Sequence, residues 1–450
     1  MSSERSFKNV SSGTSVLRIY QLAIAVLCMM TISSPQYVWT LFTTPLSNKL
    51  GYGLASIQLT FSLLIIIQTL FSPLQGWMLE RFGIRALISI GCLLSGSSWV
   101  LSGWTDSLWG LYLAYGVLGG IGTGIVYLGC VALMVRYFPD RRGFAVGMVA
   151  SGYGMGAMLT TLPISHLLDT HGLNTTLIVF GAIMAVIGIV LAQFLRVPDV
   201  TAIGIPDTGY SSGLHGSKPV TEAYKETEIP EEEKRLFVNE LEAERQFTPR
   251  QMLVTPLFWL MFIMFTLMAT SGLMVTSQLA TFAHDFGIAS VTLFGMSAIP
   301  LALTLDRLCN GATRPLFGWI SDHIGRENTM ALAFGMEGVA MTIWLSLMHH
   351  PVIFVLMSGV VFLGWGEIFS LFPSLLTDVF GTQHAATNYG FLYIAQGIGS
   401  ILGGPLAAIL YSAEHSWIPV FVLTISCDFL TALLALFVLK RLKKSVLQRP

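Results

Sequence analysis

Twelve stretches of roughly twenty mostly apolar residues recur along the 450-residue chain. Each is long enough to cross ~30 Å of hydrocarbon at a helical rise of ~1.5 Å per residue. They cover about 19–42, 54–78, 85–104, 108–136, 143–166, 175–195, 256–282, 291–319, 329–347, 351–376, 388–411 and 417–439. In lipid every backbone N–H and C=O must be satisfied internally, so runs of this length are expected to be helices. A barrel would instead show short alternating segments. The expected fold class is an all-α integral membrane protein with twelve transmembrane helices.

Composition supports that reading. Charged residues make up 11% of the chain and apolar residues 53%, against ~25% charge in ordinary soluble domains. More than half of the charges crowd between Asp199 and Arg250 or into the two tails, leaving few for everything else. A net charge of −1 argues against a nucleic-acid partner, and the apolar content excludes a disordered chain. The five cysteines (Cys28, Cys92, Cys130, Cys309 and Cys427) lie in apolar runs without a CxxC pair or metal-ligand spacing, so a disulfide scaffold and a metal centre are not expected. The first apolar run lacks a small-residue cleavage site and is expected to stay as a span.

Lys and Arg collect on alternate loops: Arg81 and Arg85, then Arg136, Arg141 and Arg142, then Arg196, then Lys440, Arg441, Lys443 and Lys444. By the positive-inside rule both termini are expected to be cytoplasmic. The expected organisation is a cytoplasmic tail (1–18), a six-helix bundle (19–195), a cytoplasmic central loop (196–255), a second six-helix bundle (256–439) and a cytoplasmic tail (440–450). Within the loop, the Glu-rich stretch Glu231 to Arg245 reads as a short solvated helix on a flexible linker.

The halves repeat. Ser72-Pro-Leu-Gln-Gly-Trp-Met-Leu-Glu-Arg-Phe-Gly83 returns some 240 residues later as Arg314-Pro-Leu-Phe-Gly-Trp-Ile-Ser-Asp-His-Ile-Gly325. A weaker echo pairs Gly143, Gly152 and Gly156 with Gly390, Gly399 and Gly403. Two matched bundles with a path at their interface is the architecture of alternating-access transporters.

Gly76 to Arg85 (GWMLERFGIR) and Gly318 to Arg326 (GWISDHIGR) resemble the loop signature of the major facilitator superfamily, which implies the major facilitator fold. Within it the chain is similar to the oxalate/formate antiporter family. The matching segments are Pro35-Gln-Tyr-Val-Trp-Thr-Leu-Phe42, Arg136-Tyr-Phe-Pro-Asp-Arg-Arg-Gly143, Asn310-Gly-Ala-Thr-Arg-Pro315, Trp365-Gly-Glu367, Phe372-Pro-Ser374 and Asn388-Tyr-Gly390. The resemblance implies transport of small carboxylates, commonly by exchange, at the plasma membrane. One departure bears on the substrate. Oxalate exchangers of the family carry a lysine in a YTAKG segment where this chain has Tyr393-Ile-Ala-Gln396-Gly397, and Phe369 stands where those members tend to carry tyrosine. Both changes point away from oxalate itself.

A charge at the bilayer centre costs ~2.5–3.5 kcal/mol even on the lenient insertion scale, so each one calls for a partner, a wet cavity or a function. Span 8 holds Asp306, Arg307 and Arg314. The two arginines are separated by about 700° of helix, hence on one face ~10 Å apart. Such a stripe suits an anion, because guanidinium pairs bidentately with carboxylate and stays charged. Arg314 matches the family motif and is the favoured substrate arginine, with Arg307 sharing the task or neutralised by an acid. The plainer alternative is that both tie helices together through acids. Of the acids Asp306, Glu337, Glu367 and Asp428, Glu367 and Asp306 are the proton-coupling candidates; Glu337 and Asp428 read as structural.

Gln36, Tyr37, Trp365, Phe369, Tyr393 and Gln396, with Trp39 and Tyr389, fall on spans 1, 10 and 11, which line the path in this architecture. They are candidates to enclose a small planar ligand, although a single aromatic in a membrane helix is more often packing. Gly76, Glu80 and Arg81, with Gly318, Asp322 and Arg326, are expected to form gating contacts at the cytoplasmic end. The sequence therefore predicts a secondary transporter of small organic anions by exchange or proton symport, embedded in a lipid bilayer. No cofactor, metal, nucleic acid or obligatory protein partner is expected. Scattered histidines and the lack of a Gly-x-x-x-x-Gly-Lys loop argue against an enzyme or ATP-driven pump. Efflux of a hydrophobic or drug-like compound is the alternative.

Overall fold

The apolar runs wind into helices in the computed structural model, which describes residues 2–197, 246–288, 290–293 and 295–447. In the N-terminal half these are α1 (Ser2–Thr31), α2 (Trp39–Leu50), α3 (Leu54–Leu70), α4 (Ser72–Phe82), α5 (Ile84–Trp104), α6 (Leu108–Tyr137) and α7 (Arg142–Phe194). The C-terminal half holds α8 (Pro256–Asp285), α9 (Ala298–Ile324), α10 (Arg326–Ser346), α11 (Pro351–Trp365), α12 (Ile368–Phe380), α13 (Ala385–Glu414) and α14 (Ile418–Leu447). Among the described residues, eight helices are long and apolar enough to cross a membrane, or nine if the bent pair α3–α4 is one span. The charged α9 lies outside that set because Asp306, Arg307 and Arg314 interrupt it. Large apolar side chains such as Val186, Val190 and Phe194 stand exposed along α7, a lipid-facing stripe that a water-soluble protein would not leave open.

Several boundaries differ from the sequence reading, each for a local reason. Spans 5 and 6 run together as α7, broken only where Gly172 takes φ 79° and ψ 176°. The eighth span starts later than expected, because Thr292–Leu293 pairs antiparallel with Met296–Ser297 before α9 begins. The first span is interrupted between α1 and α2 by a short turn of helix, Ser34–Tyr37, opened by Pro35. Span 2 bends by 52° at Phe71, where Pro73, lacking an N–H, sits in the first turn of α4. Span 10 breaks at Gly366 and Glu367, between α11 and α12. The stretch Glu231 to Arg245 lies outside the described residues.

The sequence repeat is a structural one. Gly83 and Gly325, the last residues of the two motif copies, take matching positive φ of 92° and 89°, a left-handed backbone that glycine adopts without a Cβ penalty. They end α4 and α9 and turn the chain into α5 and α10. The halves then meet in two equivalent crossings, α9 on α7 and α4 on α13. A Cβ on Gly318 of α9 would lie 2.6 Å from the Gly143 carbonyl carbon of α7, and one on Gly390 of α13 would lie 2.6 Å from the Ser72 carbonyl carbon of α4. Backbones can approach this closely only where side chains are absent.

Both terminal helices reach the same end of the molecule: Arg18 pairs with Asp140, and Lys443 with Glu327 at 2.8 Å. The glycine crossings lie toward that end. At the other end α9 changes character. The stripe that is buried at Gly318, Arg314 and Gly311 becomes exposed at Arg307 and Thr304, and Met158, on the matching face of α7, is exposed as well. The bundles are therefore closed on one another at the end with the termini and splay apart at the opposite end.

Candidate functional site

Where the splay ends, α9 delivers Arg314 into the space between the halves. The residue is 1% exposed; Gly147 of α7 leaves the room its backbone occupies, and Gly154 borders its guanidinium. Nη1 donates to the Ala150 carbonyl at 2.7 Å and Nη2 to Asn310 Oδ1 at 2.9 Å. The guanidinium carbon stands 4.6 Å from the centre of the Phe369 ring, a cation–π contact. Arg314 Nε and Asn310 Nδ2 are buried donors without a partner. Among the described residues no carboxylate reaches Arg314 at ion-pair distance. A buried charge held by neutral acceptors alone carries a desolvation penalty of several kcal/mol, which an anion would offset.

A small cavity opens in front of this arginine. Gln36, Tyr37, Trp365, Phe369, Tyr393 and Gln396, candidates from the sequence, all line it with Arg314. The walls are aromatic. Tyr37 meets Tyr153 edge-on at 5.5 Å, Trp365 meets Phe369 at 5.9 Å, and Tyr393 stacks on Tyr127 at 5.1 Å. Polar groups punctuate the walls: Tyr153 Oη donates to Gln36 Oε1 at 2.5 Å, and Gln68 Nε2 to Tyr393 Oη at 3.2 Å. Trp365 spends its indole N–H on the Met268 carbonyl at 3.0 Å, so it faces the cavity as an apolar plate. Gln396 Oε1 is buried and unpartnered. One fixed cation and an aromatic enclosure are chemically suited to a small anion with a flat carbon frame.

The lining also includes Gln68 and Thr69 of α3, Tyr127 of α6 and Tyr153 of α7, which sequence reasoning missed. Their signal was faint: Gln68-Thr69 interrupts an otherwise apolar run, and the two tyrosines lie among small residues. Other candidates lie elsewhere. Arg307 is exposed, its guanidinium 5.3 Å from the centre of the Tyr37 ring on the splayed side of the cavity. Trp39 is packed inside the N-terminal half, 4.6 Å from Tyr115, and donates to Gln58; it does not line this cavity. Tyr389 stands behind Tyr393 at 5.5 Å. Asp306 and Glu367 are buried outside the cavity, and their carboxylate oxygens have no hydrogen-bond partner.

The motif acids meet helix starts across the bundle interface. Asp322 accepts from the Gly143 and Phe144 amides that open α7, at 2.9 and 2.8 Å. Glu80 accepts from the Thr387 amide near the start of α13 at 2.9 Å and from its hydroxyl at 2.7 Å. These are the same device twice, a carboxylate on the positive end of a helix in the other half. Arg326 pairs with Asp322 at 2.5 Å and Asp378 at 2.9 Å, and Arg142 reaches across to Asp378 at 2.8 Å. Arg81 is not part of this cluster; it is exposed and leans over Trp77 of its own helix.

The comparisons agree with this architecture. The family described as Major Facilitator Superfamily matches residues 22–309 and 294–449. The oxalate:formate antiporter of Oxalobacter formigenes is 32% identical over 437 residues, 97% of this chain and 95% of that protein. Monocarboxylate transporter 14 of Mus musculus is 24% identical, covering 79% of this chain and 77% of the relative. The crystal structure of a major facilitator transporter, FucP, in the outward conformation superposes with a TM-score of 0.65 over 93% of this chain and 99% of that one, at 13% identity. The chain belongs to the major facilitator superfamily and is a multi-pass transporter of the plasma membrane.

Proposed function

We propose that the chain is a secondary active transporter of small organic anions, mono- or short carboxylates such as formate, oxalate, lactate or pyruvate. It works by alternating access around Arg314, as exchange or as proton symport. The observation that carries this reading is a buried guanidinium without an acidic partner inside an aromatic box between the two halves. The names of two relatives, an oxalate:formate antiporter and a monocarboxylate transporter, support the substrate class. Gln396, in place of a second cation, favours a single carboxylate over two.

In this reading α1–α2, α3–α4, α5, α6 and the two arms of α7 are the six spans of residues 19–195. Then α8, α9, α10, α11–α12, α13 and α14 are the six spans of 256–439. Both termini are cytoplasmic, following the Lys and Arg distribution. The splayed end then faces outward, and the Glu80 and Asp322 contacts form the closed cytoplasmic gate.

The test is uptake of labelled formate, oxalate, lactate and pyruvate into proteoliposomes, with and without internal carboxylate and with an imposed pH gradient. Replacing Arg314 by Ala removes charge-assisted hydrogen bonds worth ~1.5–3 kcal/mol each, so uptake is expected to drop by about 100-fold. Undiminished uptake by a folded Arg314→Ala protein would sink the reading.

A further inference from the structure

Behind the cavity wall, inside the C-terminal half, three acids from three helices converge: Glu337 of α10, Glu367 at the α11–α12 break and Asp428 of α14. All three side chains are fully buried and none of their six carboxylate oxygens has a hydrogen-bond partner. Glu337 lies within electrostatic reach of Asp428, Glu367 and the Cys427 thiol. Glu367 in turn lies within electrostatic reach of Asp428 and of Arg314 of α9. From α8, the buried Ser271 hydroxyl, itself without a hydrogen-bond partner, lies close to Asp428. Backbone geometry brings them together. A Cβ on Gly364 would lie 2.6 Å from Glu337 Cβ, so the glycine lets α10 press its acid against α11 just ahead of the break.

We propose that Glu337, Glu367 and Asp428 form one proton-binding site whose occupancy is coupled to the anion on Arg314; this rests on the anion-site reading above. Three ionised carboxylates cannot share a water-free interior, so the cluster carries protons. Arg314 is the cation that senses both sites. With the cavity empty its positive field reaches the cluster uncompensated. A bound anion cancels that field, and the cluster then takes up a proton. By linkage each ligand strengthens the binding of the other.

The α11–α12 break supplies the mechanical connection. Trp365 and Phe369 face the cavity, and Glu367 between them faces the acids. Ser370 and Leu371 amides close on the Glu367 carbonyl at 2.9 and 2.8 Å, while Thr313 of α9 donates to the Leu363 carbonyl. A movement of the aromatic plates around a ligand therefore moves the carboxyl on the other face of the same turn.

The experiment uses the purified full-length protein in weakly buffered detergent with a pH-sensitive dye. Formate, oxalate, lactate and pyruvate are added in turn at matched pH, and binding is read separately with labelled anion. Binding is expected to take up as much as about one proton per anion, and anion affinity to fall by up to about tenfold per pH unit as pH rises. Glu367→Gln is expected to abolish the proton uptake while anion still binds, and Asp428→Asn and Glu337→Gln to diminish it. Arg314-dependent binding with no proton uptake and a flat pH profile would overturn the coupling and leave the anion site standing. Uptake that persists undiminished in all three amide variants would also overturn it. Absence of Arg314-dependent binding of any of the four anions would overturn both readings.

Discussion

Gln396 of α13 and Arg314 of α9 line the same cavity, both from the C-terminal half, and the chemistry of one fixes what the other can hold. Arg314 can neutralise one carboxylate. Across the cavity, Gln396 offers an amide whose oxygen has no partner, which can hydrogen-bond a ligand but cannot balance a second negative charge. A dicarboxylate would thus enter with one charge uncompensated, at a cost of several kcal/mol in a dry site. Gln396→Lys supplies the missing cation, and the expected outcome is a change of preference toward oxalate over formate by about tenfold or more, or about 1.4 kcal/mol. Competition between the two labelled anions in proteoliposomes reads it directly. An unchanged ratio in a variant that still transports would show that Gln396 does not set the charge of the ligand.

At the scale of helices, the α7–α9 crossing decides where that arginine stands. A Cβ on Gly147 would lie 2.6 Å from the Arg314 carbonyl carbon and 2.8 Å from Pro315 Cα. Overpacking of this kind costs ~1–3 kcal/mol. Because the contact exists on the closed side of the interface, Gly147→Ala is expected to lower uptake roughly tenfold or more. Gly335→Ala, where a Cβ meets nothing within 4 Å, leaves uptake unchanged, and equal behaviour of the two variants would refute the argument. Gly147 also marks the limit of what could be read from the chain alone. Apolar length announced the helices and the motif at Gly76 and Gly318 announced the repeat, because both are sequence-local. The rotation of each helix was harder to read: in a membrane the lipid-facing and bundle-facing sides are both apolar, so no amphipathic stripe points inward. Spans 1, 10 and 11 were chosen by resemblance, and of the residues named on them Gln36, Tyr37, Trp365, Phe369, Tyr393 and Gln396 border the cavity while Trp39 and Tyr389 do not. Gln68, Tyr127 and Tyr153 arrived from helices whose facing side the sequence indicated only faintly. The break at Gly172 falls in the polar gap left between spans 5 and 6, whereas the Thr292–Ser297 hairpin was missed because it sits inside the apolar run read as span 8.

For the whole molecule, the two halves hold one access state through a pair of equivalent contacts, Asp322 on the start of α7 and Glu80 on the start of α13. A carboxylate at a helix N-terminus contributes ~0.3–1 kcal/mol, and up to ~2 kcal/mol where partly buried. Losing both charges therefore removes about 2 kcal/mol from the state closed at the end with the termini, a shift of about 30-fold in the ratio of access states. Glu80→Gln with Asp322→Asn preserves size, and the sign follows from geometry: these contacts exist only when that end is shut, so their loss favours opening there. Spin labels at exposed Arg81 and His323, one in each half at that end, should report a longer distance in the double variant than in the parent protein. The single variants are expected to give intermediate shifts, because the repeat makes the two contacts alike and neither spans the whole interface. Arg142 and Arg326 on Asp378 persist in the double variant and keep the opening reversible, so transport slows without stopping. An unchanged distance distribution together with unchanged uptake would mean that the Asp378 cluster alone holds the gate, and that the repeated acids serve only to cap helices.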